Sequence, residues 1–255
     1  MTKEDLPMHV TVTGGSRGIG SEIVRALAEG GYNVTFTYRE SAEQSKMLLG
    51  ELWASWPNQK FQALKVDLGD RSQVDDFAER LAQNDALYGL VHNAGQTYDA
   101  LAAMIEQDRA EEIMQVNFWA LTRLVTGAIR PMMRGRSGRI IGVGSIAALH
   151  TSPGNSVYAA TKGAMLSYLR TVAVEVARKG ITANFIAPGY VDTDMVAAYS
   201  KYRGALEKQI PAGRFARARE VAALVGYLMS PAADYINGSV LPIDGGMNAG
   251  TTLRG

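Results

Sequence analysis

Seven short β-rich runs alternate with six helical stretches along this chain, with no linker, internal repeat or low-complexity break between them. The strand-like runs are His9 to Thr13, Asn33 to Tyr38, Phe61 to Asp67, Leu87 to Asn93, Arg139 to Ser145, Ile181 to Ile186 and Val240 to Ile243. The helical stretches are Gly18 to Glu29, Ser41 (as N-cap) to Trp56, Ser72 to Gln83, Gln107 to Arg134, Ser156 to Lys179 and Glu220 to Met229. Strands that are each followed by a helix pair in parallel, and right-handed crossovers place the helices on both faces. The expected architecture is α/β: one doubly wound parallel sheet of about seven strands, with residues 1–255 as a single domain.

Composition narrows the function classes. The 255 residues are 47% apolar and 20% charged, which is enough apolar material for a packed core. Lys plus Arg (26) nearly balances Asp plus Glu (25), leaving no electrostatic footprint for nucleic acid or an anionic membrane. The absence of cysteine excludes disulfides, thiolate metal sites and a cysteine nucleophile. With three histidines and no clustered carboxylates, no catalytic metal is expected. Lys3, Glu4 and Asp5 stand where a secretory signal would be apolar, and the uncharged run from Ile140 to Thr161 is too polar to span a bilayer. A soluble cytoplasmic protein is the expectation.

The turn between the first strand and the first helix reads Thr13-Gly14-Gly15-Ser16-Arg17-Gly18-Ile19-Gly20. Glycines here permit a tight turn, close approach to a pyrophosphate and close packing of helix on sheet, and the helix N-terminus offers N–H groups to phosphate. A ligand-free glycine turn is the plain alternative. The second strand runs into Arg39 and Glu40. Arg39 and Arg17 suit the 2′-phosphate of NADP(H), the favoured cofactor, whereas Glu40 is either a ribose ligand or a helix-start acid. Asp67-Leu68 ends the third strand, where a carboxylate can accept from an adenine amino group. Asn93-Ala94-Gly95 ends the fourth, where small residues let a ligand close. Both are also ordinary turn chemistry.

Tyr158 and Lys162 are four residues apart at the start of a helix, on one face of it. A phenol is a poor acid–base group at neutral pH, and a lysine cation beside it lowers its pKa toward the working range. Ser145, thirteen residues before Tyr158, can hold a substrate carbonyl against that pair.

In these motifs the sequence resembles the short-chain dehydrogenase/reductase family, of the type with a single Rossmann domain. The glycine turn, Asn93-Ala94-Gly95, Ser145, Tyr158-x-x-x-Lys162 and Pro188-Gly189 follow the family order over nearly the full length. The resemblance implies that NADPH gives hydride to a carbonyl carbon while Tyr158 protonates the oxygen and Ser145 orients it. It also implies that Lys162 lowers the Tyr158 pKa and binds the nicotinamide ribose, and that Asn117 holds a relay water. The same resemblance puts Pro188, Gly189, Val191 and Thr193 against the cofactor. Thr193 also reads as a helix N-cap before Asp194-Met195, and both readings stand.

Within the family the sequence is similar to bacterial 3-oxoacyl-[acyl-carrier-protein] reductases. The likeness lies in Arg136 to Ile141, Gly180 to Asn184, Ala187 to Met195, Tyr235 to Val240 and Asp244 to Met247. It implies an acyl-carrier-protein partner docking on basic positions such as Arg134, Arg136 and Lys179. These are also the cations that helix C-termini favour. It implies a homotetramer built through the two long helices and the last strand. The segment from Ile146 to Val157, including His150, departs from the housekeeping pattern and leaves a specialised carrier-bound chain open. A sugar, polyol or other small-alcohol dehydrogenase is the alternative, and a non-catalytic NADP(H) sensor the alternative of another class.

Overall fold

The computed structural model describes residues 8–150, 152–193 and 202–249. One seven-stranded sheet runs through it. Its strands are β1 (His9–Thr13), β2 (Asn33–Tyr38), β3 (Phe61–Lys65), β4 (Leu87–His92), β5 (Gly138–Val143), β6 (Ile181–Pro188) and β9 (Val240–Ile243). Their order is β3-β2-β1-β4-β5-β6-β9, and every pairing is parallel. The order reverses between β1 and β4, so a crevice opens at the carboxyl ends of those strands, where open α/β sheets bind ligands.

Both faces of the sheet are covered, and the alternation along each strand shows it. Val91, Ile141 and Ile186 pack with α1 (Gly18–Glu29), α2 (Ala42–Ser55) and α8 (Ala218–Met229). Their neighbours Leu90, Ile140 and Phe185 face the other way, toward α3 (Arg71–Ala82), α5 (Ala120–Gly135) and α6 (Ser156–Val176). Strands buried on both sides read as near-continuous apolar runs, interrupted here by the buried polar residues His92, Arg139, Thr182 and Asn184.

Several boundaries differ from the sequence expectation. Ser41 precedes α2, but its side chain makes no cap hydrogen bond. Asp70 does cap α3, accepting from Ser72 N (2.9 Å) and Gln73 N (3.2 Å). The third strand stops at Lys65, so Asp67 lies beyond it, and β5 stops at Val143, so Ser145 instead precedes a short 3₁₀ turn, Ile146–Ala148. Two features carry no strong sequence signal: the short helix α7 (Arg203–Glu207), and a two-residue ladder between β7 (Val191–Asp192) and β8 (Ala216–Arg217).

The largest difference is in the stretch expected as one helix from Gln107 to Arg134. It is α4 (Gln107–Met114), a π-helical turn over Gln115–Trp119, and then α5. The turn closes with Ala120 N donating to Gln115 O, and Asn117 sits at its centre. Such one-turn insertions recur at functional sites, where they re-aim a side chain.

Two stretches that carried the resemblance to carrier-protein reductases have a structural task. Asn184 donates to Ile236 O (2.7 Å) and accepts from Ser239 N (3.0 Å). Asn237 accepts from Ala183 N and donates to Ala173 O, both at 2.9 Å. The two amides tie the approach to β9 onto β6 and α6.

Candidate active site

The glycine turn is seated by β2. Gly15 N donates to Thr37 O (2.9 Å) and Gly14 N to Thr37 Oγ1 (3.2 Å). Gly14 has φ +64°, in the left-handed region that favours glycine. Within this turn Gly20 allows the closest approach, because a Cβ there would lie 2.0 Å from Gly14 O and 2.7 Å from Asn93 Nδ2. No side chain caps α1, so the positive end of its dipole is left to an anion. Gly20→Ala is therefore expected to force the turn apart. Melting with and without dinucleotide should show both a lower midpoint, by overpacking of about 1–3 kcal/mol, and a smaller ligand-induced rise. An Ala variant with wild-type melting in both states would contradict this geometry.

A cleft of about 700 Å³ opens along the carboxyl ends of the strands. It is large enough for a dinucleotide's reactive half and more. The glycine turn contributes Gly14, Ser16, Arg17, Gly18, Ile19 and Gly20, and the strand ends contribute Arg39, Asp67, Leu68, Asn93, Ala94 and Gly95. Ser145, Tyr158, Lys162, Pro188, Gly189, Val191 and Thr193 complete the far side. All residues expected to touch cofactor thus share one wall or another of a single cleft.

Arg39 is half-exposed and ion-paired to Glu40, Nη2 to Oε1, at 3.0 Å. Asp67 is in the cleft and in a turn at once, its Oδ1 accepting from Gly69 N at 2.8 Å. Thr193 lies across from the glycine turn, and its N-cap reading concerns Asp194 and Met195, which fall outside the described residues.

At the inner end of the cleft Ser145, Tyr158 and Lys162 come together, and Asn117 backs them. Ser145 Oγ accepts from Ala147 N (3.1 Å), which leaves its proton for another partner. Lys162 is buried, its Nζ 3.4 Å from Val143 O and 5.6 Å from the centroid of the Tyr158 ring. Asn117 lies behind the wall, wholly buried. Its Oδ1 accepts from Gln96 N (2.8 Å), and its Nδ2 donates to Gln96 O (2.9 Å) and Thr161 Oγ1 (3.0 Å). A Cβ on Gly95 would meet both Asn117 Oδ1 and Lys162 Nζ at 3.2 Å, so glycine there lets amide and ammonium flank one main-chain position.

The electrostatics differ from the sequence expectation of a lysine-lowered phenol. Burial is the largest influence on Tyr158 and pushes it up to about 12, while the Ser145 hydroxyl hydrogen-bonds the phenol and pulls the other way. Burial also lowers Lys162 to about 8. The chain alone holds a neutral phenol beside a lysine that is charged at pH 7 and loses its proton just above it. A loaded proton donor beside a hydroxyl that can orient an oxygen is an arrangement fit to protonate a carbonyl being reduced.

Sequence reasoning missed part of the wall. Val116 follows from the π turn, and Val143-Gly144 adjoins Ser145, but Arg109 and Glu112, an ion pair on α4 lining the cleft, have no motif to mark them. The basic trio is not at the mouth of its own cleft. Arg134 pairs with Asp85 (2.6 Å) before β4, and Arg136 and Lys179 precede β5 and β6. Because all strands are parallel, that is the amino end of the sheet, opposite the catalytic end. His150 is exposed and outside the cleft lining. No helix among the described residues is long and apolar enough to cross a membrane.

Residues 14–248 match a family model described as enoyl-(acyl carrier protein) reductase. The 3-oxoacyl-[acyl-carrier-protein] reductase FabG of Vibrio cholerae is 38% identical over 242 residues, covering 92% of this chain and 95% of that protein. The fold is similar to a short-chain dehydrogenase/reductase from Serratia marcescens, with TM-score 0.87, 32% identity, and coverage of 94% of this chain and 98% of that one. It is also similar to a blue fluorescent protein from a metagenomic library, solved in complex with NADPH, with TM-score 0.87, 33% identity, and coverage of 94% and 97%.

Proposed function

The chain belongs to the short-chain dehydrogenase/reductase family, and on that premise we propose that it reduces a 3-oxoacyl thioester to the 3-hydroxyacyl thioester with NADPH. It is an oxidoreductase acting at the CH–OH level. The observation that carries the reading is the convergence of Ser145, Tyr158 and Lys162 at the inner end of the cleft, with Asn117 buried behind them at Gly95. NADP(H) is the cofactor. The glycine turn and the α1 N-terminus take the pyrophosphate, Arg39 takes the 2′-phosphate, and Asp67-Leu68 borders the adenine. Bound there, the cofactor supplies hydride.

The chain's own residues manage the oxygen. Ser145 donates a hydrogen bond to the substrate carbonyl, Tyr158 gives it a proton, and Lys162 and Asn117 return that proton from solvent. Residues 1–255 act as a single domain. The cytoplasm, where carrier-bound acyl chains are made, is the compartment this reading implies.

The FabG relative supports an acyl-carrier-protein as the substrate's carrier. Arg134, Arg136 and Lys179 lie at the far end of the sheet, so they meet a carrier only beside another subunit's cleft. A homotetramer through α5, α6 and β9 would supply that neighbour. The groove between α5 and α6, where Phe118, Ile129, Tyr168 and Val172 stand among Thr126, Ser167, Thr171 and Glu175 with Val174 80% exposed, is a mixed face that a second copy would cover.

The deciding experiment is the initial rate of NADPH oxidation with a short 3-oxoacyl thioester, free and carrier-linked. An enoyl thioester, the matched model's own class, and a sugar and polyol panel run beside it. Turnover of the ketone, faster on the carrier, is expected. Turnover of the enoyl thioester or a polyol alone would replace the substrate class. NADPH binding with no turnover on any substrate would favour a sensor.

A further inference from the structure

Arg109 and Glu112 line the cleft, and nothing in the proposed chemistry uses them. Both are carried by α4, which is tied down at each end. At its start Glu106 N donates to the Tyr98 hydroxyl (2.9 Å), and just past its end Gln115 Nε2 donates to Leu68 O (3.2 Å). Ile113, fully buried, sets the rotation of the helix. Arg109 is four residues before Ile113 and Glu112 is four before Val116. The pair therefore continues the face that Ile113 and Val116 bury, out to the rim of the cleft.

That rim is not the one where the other arginines stand. Arg17 precedes α1 and Arg39 lies just before α2, and these helices cover one face of the sheet. Val116 packs instead in the apolar cluster of the other face, with Val66 and Leu68. The α4 pair is thus beside Leu68, across the strand ends from the two cations that suit a 2′-phosphate. What it borders there is the place of the adenine, next to Asp67-Leu68.

The chemistry of the pair fits a flat, uncharged ring. Arg109 Nη1 is ion-paired to a Glu112 carboxylate oxygen, with both side chains a little under half exposed. An ion pair uses the edge of the planar guanidinium and leaves its faces open, and it orients the plane before a ligand arrives. A carboxylate such as Asp67 can address only the edge of an adenine. The face of the ring needs a flat partner, and a guanidinium supplies one by stacking.

We infer that Arg109 stacks its guanidinium on the adenine of the bound dinucleotide, and that Glu112 is the positioning residue that holds it there. Because adenine is common to both cofactors, the contact adds affinity for NADPH and NADH alike and leaves the choice between them to Arg39. The inference rests on the cofactor reading and is independent of the acyl substrate.

The test is equilibrium binding to the free enzyme, read as Kd for NADPH, NADH and ADP-ribose, with melting recorded without ligand. Arg109→Ala should weaken all three by one common factor, about threefold to tenfold, with Tm near wild type. Arg109→Lys keeps the charge without the plane and should recover little of the loss. Glu112→Gln should show a smaller loss of the same pattern, and none in an Arg109→Ala background. A loss confined to NADPH would make Arg109 a phosphate ligand, and full recovery by lysine would make it a point charge. Either result would overturn the inference, as would unchanged affinities in Arg109→Ala or losses accompanied by a fall in Tm. Failure of the acyl-thioester assay leaves these binding constants readable, so the two readings fail separately. A wild type that binds neither dinucleotide would remove the cofactor reading and the inference with it.

Discussion

Tyr158→Phe is expected to lower kcat for NADPH-dependent reduction by about 10²–10⁴-fold, the range of general acid catalysis, while NADPH binding stays near wild type. The substitution removes one oxygen and keeps the ring over which Lys162 sits, 5.6 Å from its centroid. The magnitude follows from what remains. Ser145 can still orient the carbonyl, but the phenol proton aimed at it is gone. Burial keeps the Tyr158 phenol protonated up to about 12, so the acid is loaded throughout the working range.

Lys162 is the group that titrates within that range. It is charged below about 8 and neutral above, because burial disfavours its cation. Reductive kcat/KM, which reports groups of the free enzyme, should be level below that pH and fall as pH rises through it. The oxidative direction needs the phenolate, which this environment opposes, so it should require alkaline conditions. Near-normal turnover in Tyr158→Phe would remove the mechanism altogether, and a flat alkaline limb would remove Lys162 from it.

The cleft was legible in the sequence because its parts are local. Gly14 and Gly20 announce themselves, since a positive φ favours glycine and a Cβ at Gly20 would lie 2.0 Å from a carbonyl oxygen. Tyr158 and Lys162 share a face by helix period alone. The apolar runs of β4, β5 and β6 mark strands buried on both sides.

What was not legible depends on neighbours distant in sequence. The π turn at Asn117 adds one residue to a register that a 3.6-residue period cannot resolve, and it is secured by Gln96 and Thr161 from other elements. The expected effect of Lys162 on Tyr158 ranked the charge above burial, and burial is set only by the folded wall. The basic trio shows the opposite case. Its place at the amino ends of β5 and β6 follows from the sequence order, once parallel topology is taken at its word.

Arg39→Ala is expected to weaken NADPH about tenfold or more and to leave NADH nearly unchanged, by equilibrium binding to the free enzyme. A hydrogen bond to a charged group contributes about 1.5–3 kcal/mol, and the partly exposed position of Arg39 puts its share toward the lower end. Raising ionic strength should shrink the difference, since an exposed guanidinium–phosphate contact is screened.

Glu40 decides between the two readings that the sequence left open. In the structure it is ion-paired to Arg39 at 3.0 Å, so it competes with a phosphate for the same guanidinium. Glu40→Gln should then free Arg39 and tighten NADPH, with NADH unaffected. Were Glu40 instead the ribose ligand, the same substitution would weaken NADH and leave NADPH alone. The two readings predict opposite signs on different cofactors, so one pair of titrations separates them. Equal losses of both cofactors in Arg39→Ala would take Arg39 out of the 2′-phosphate site.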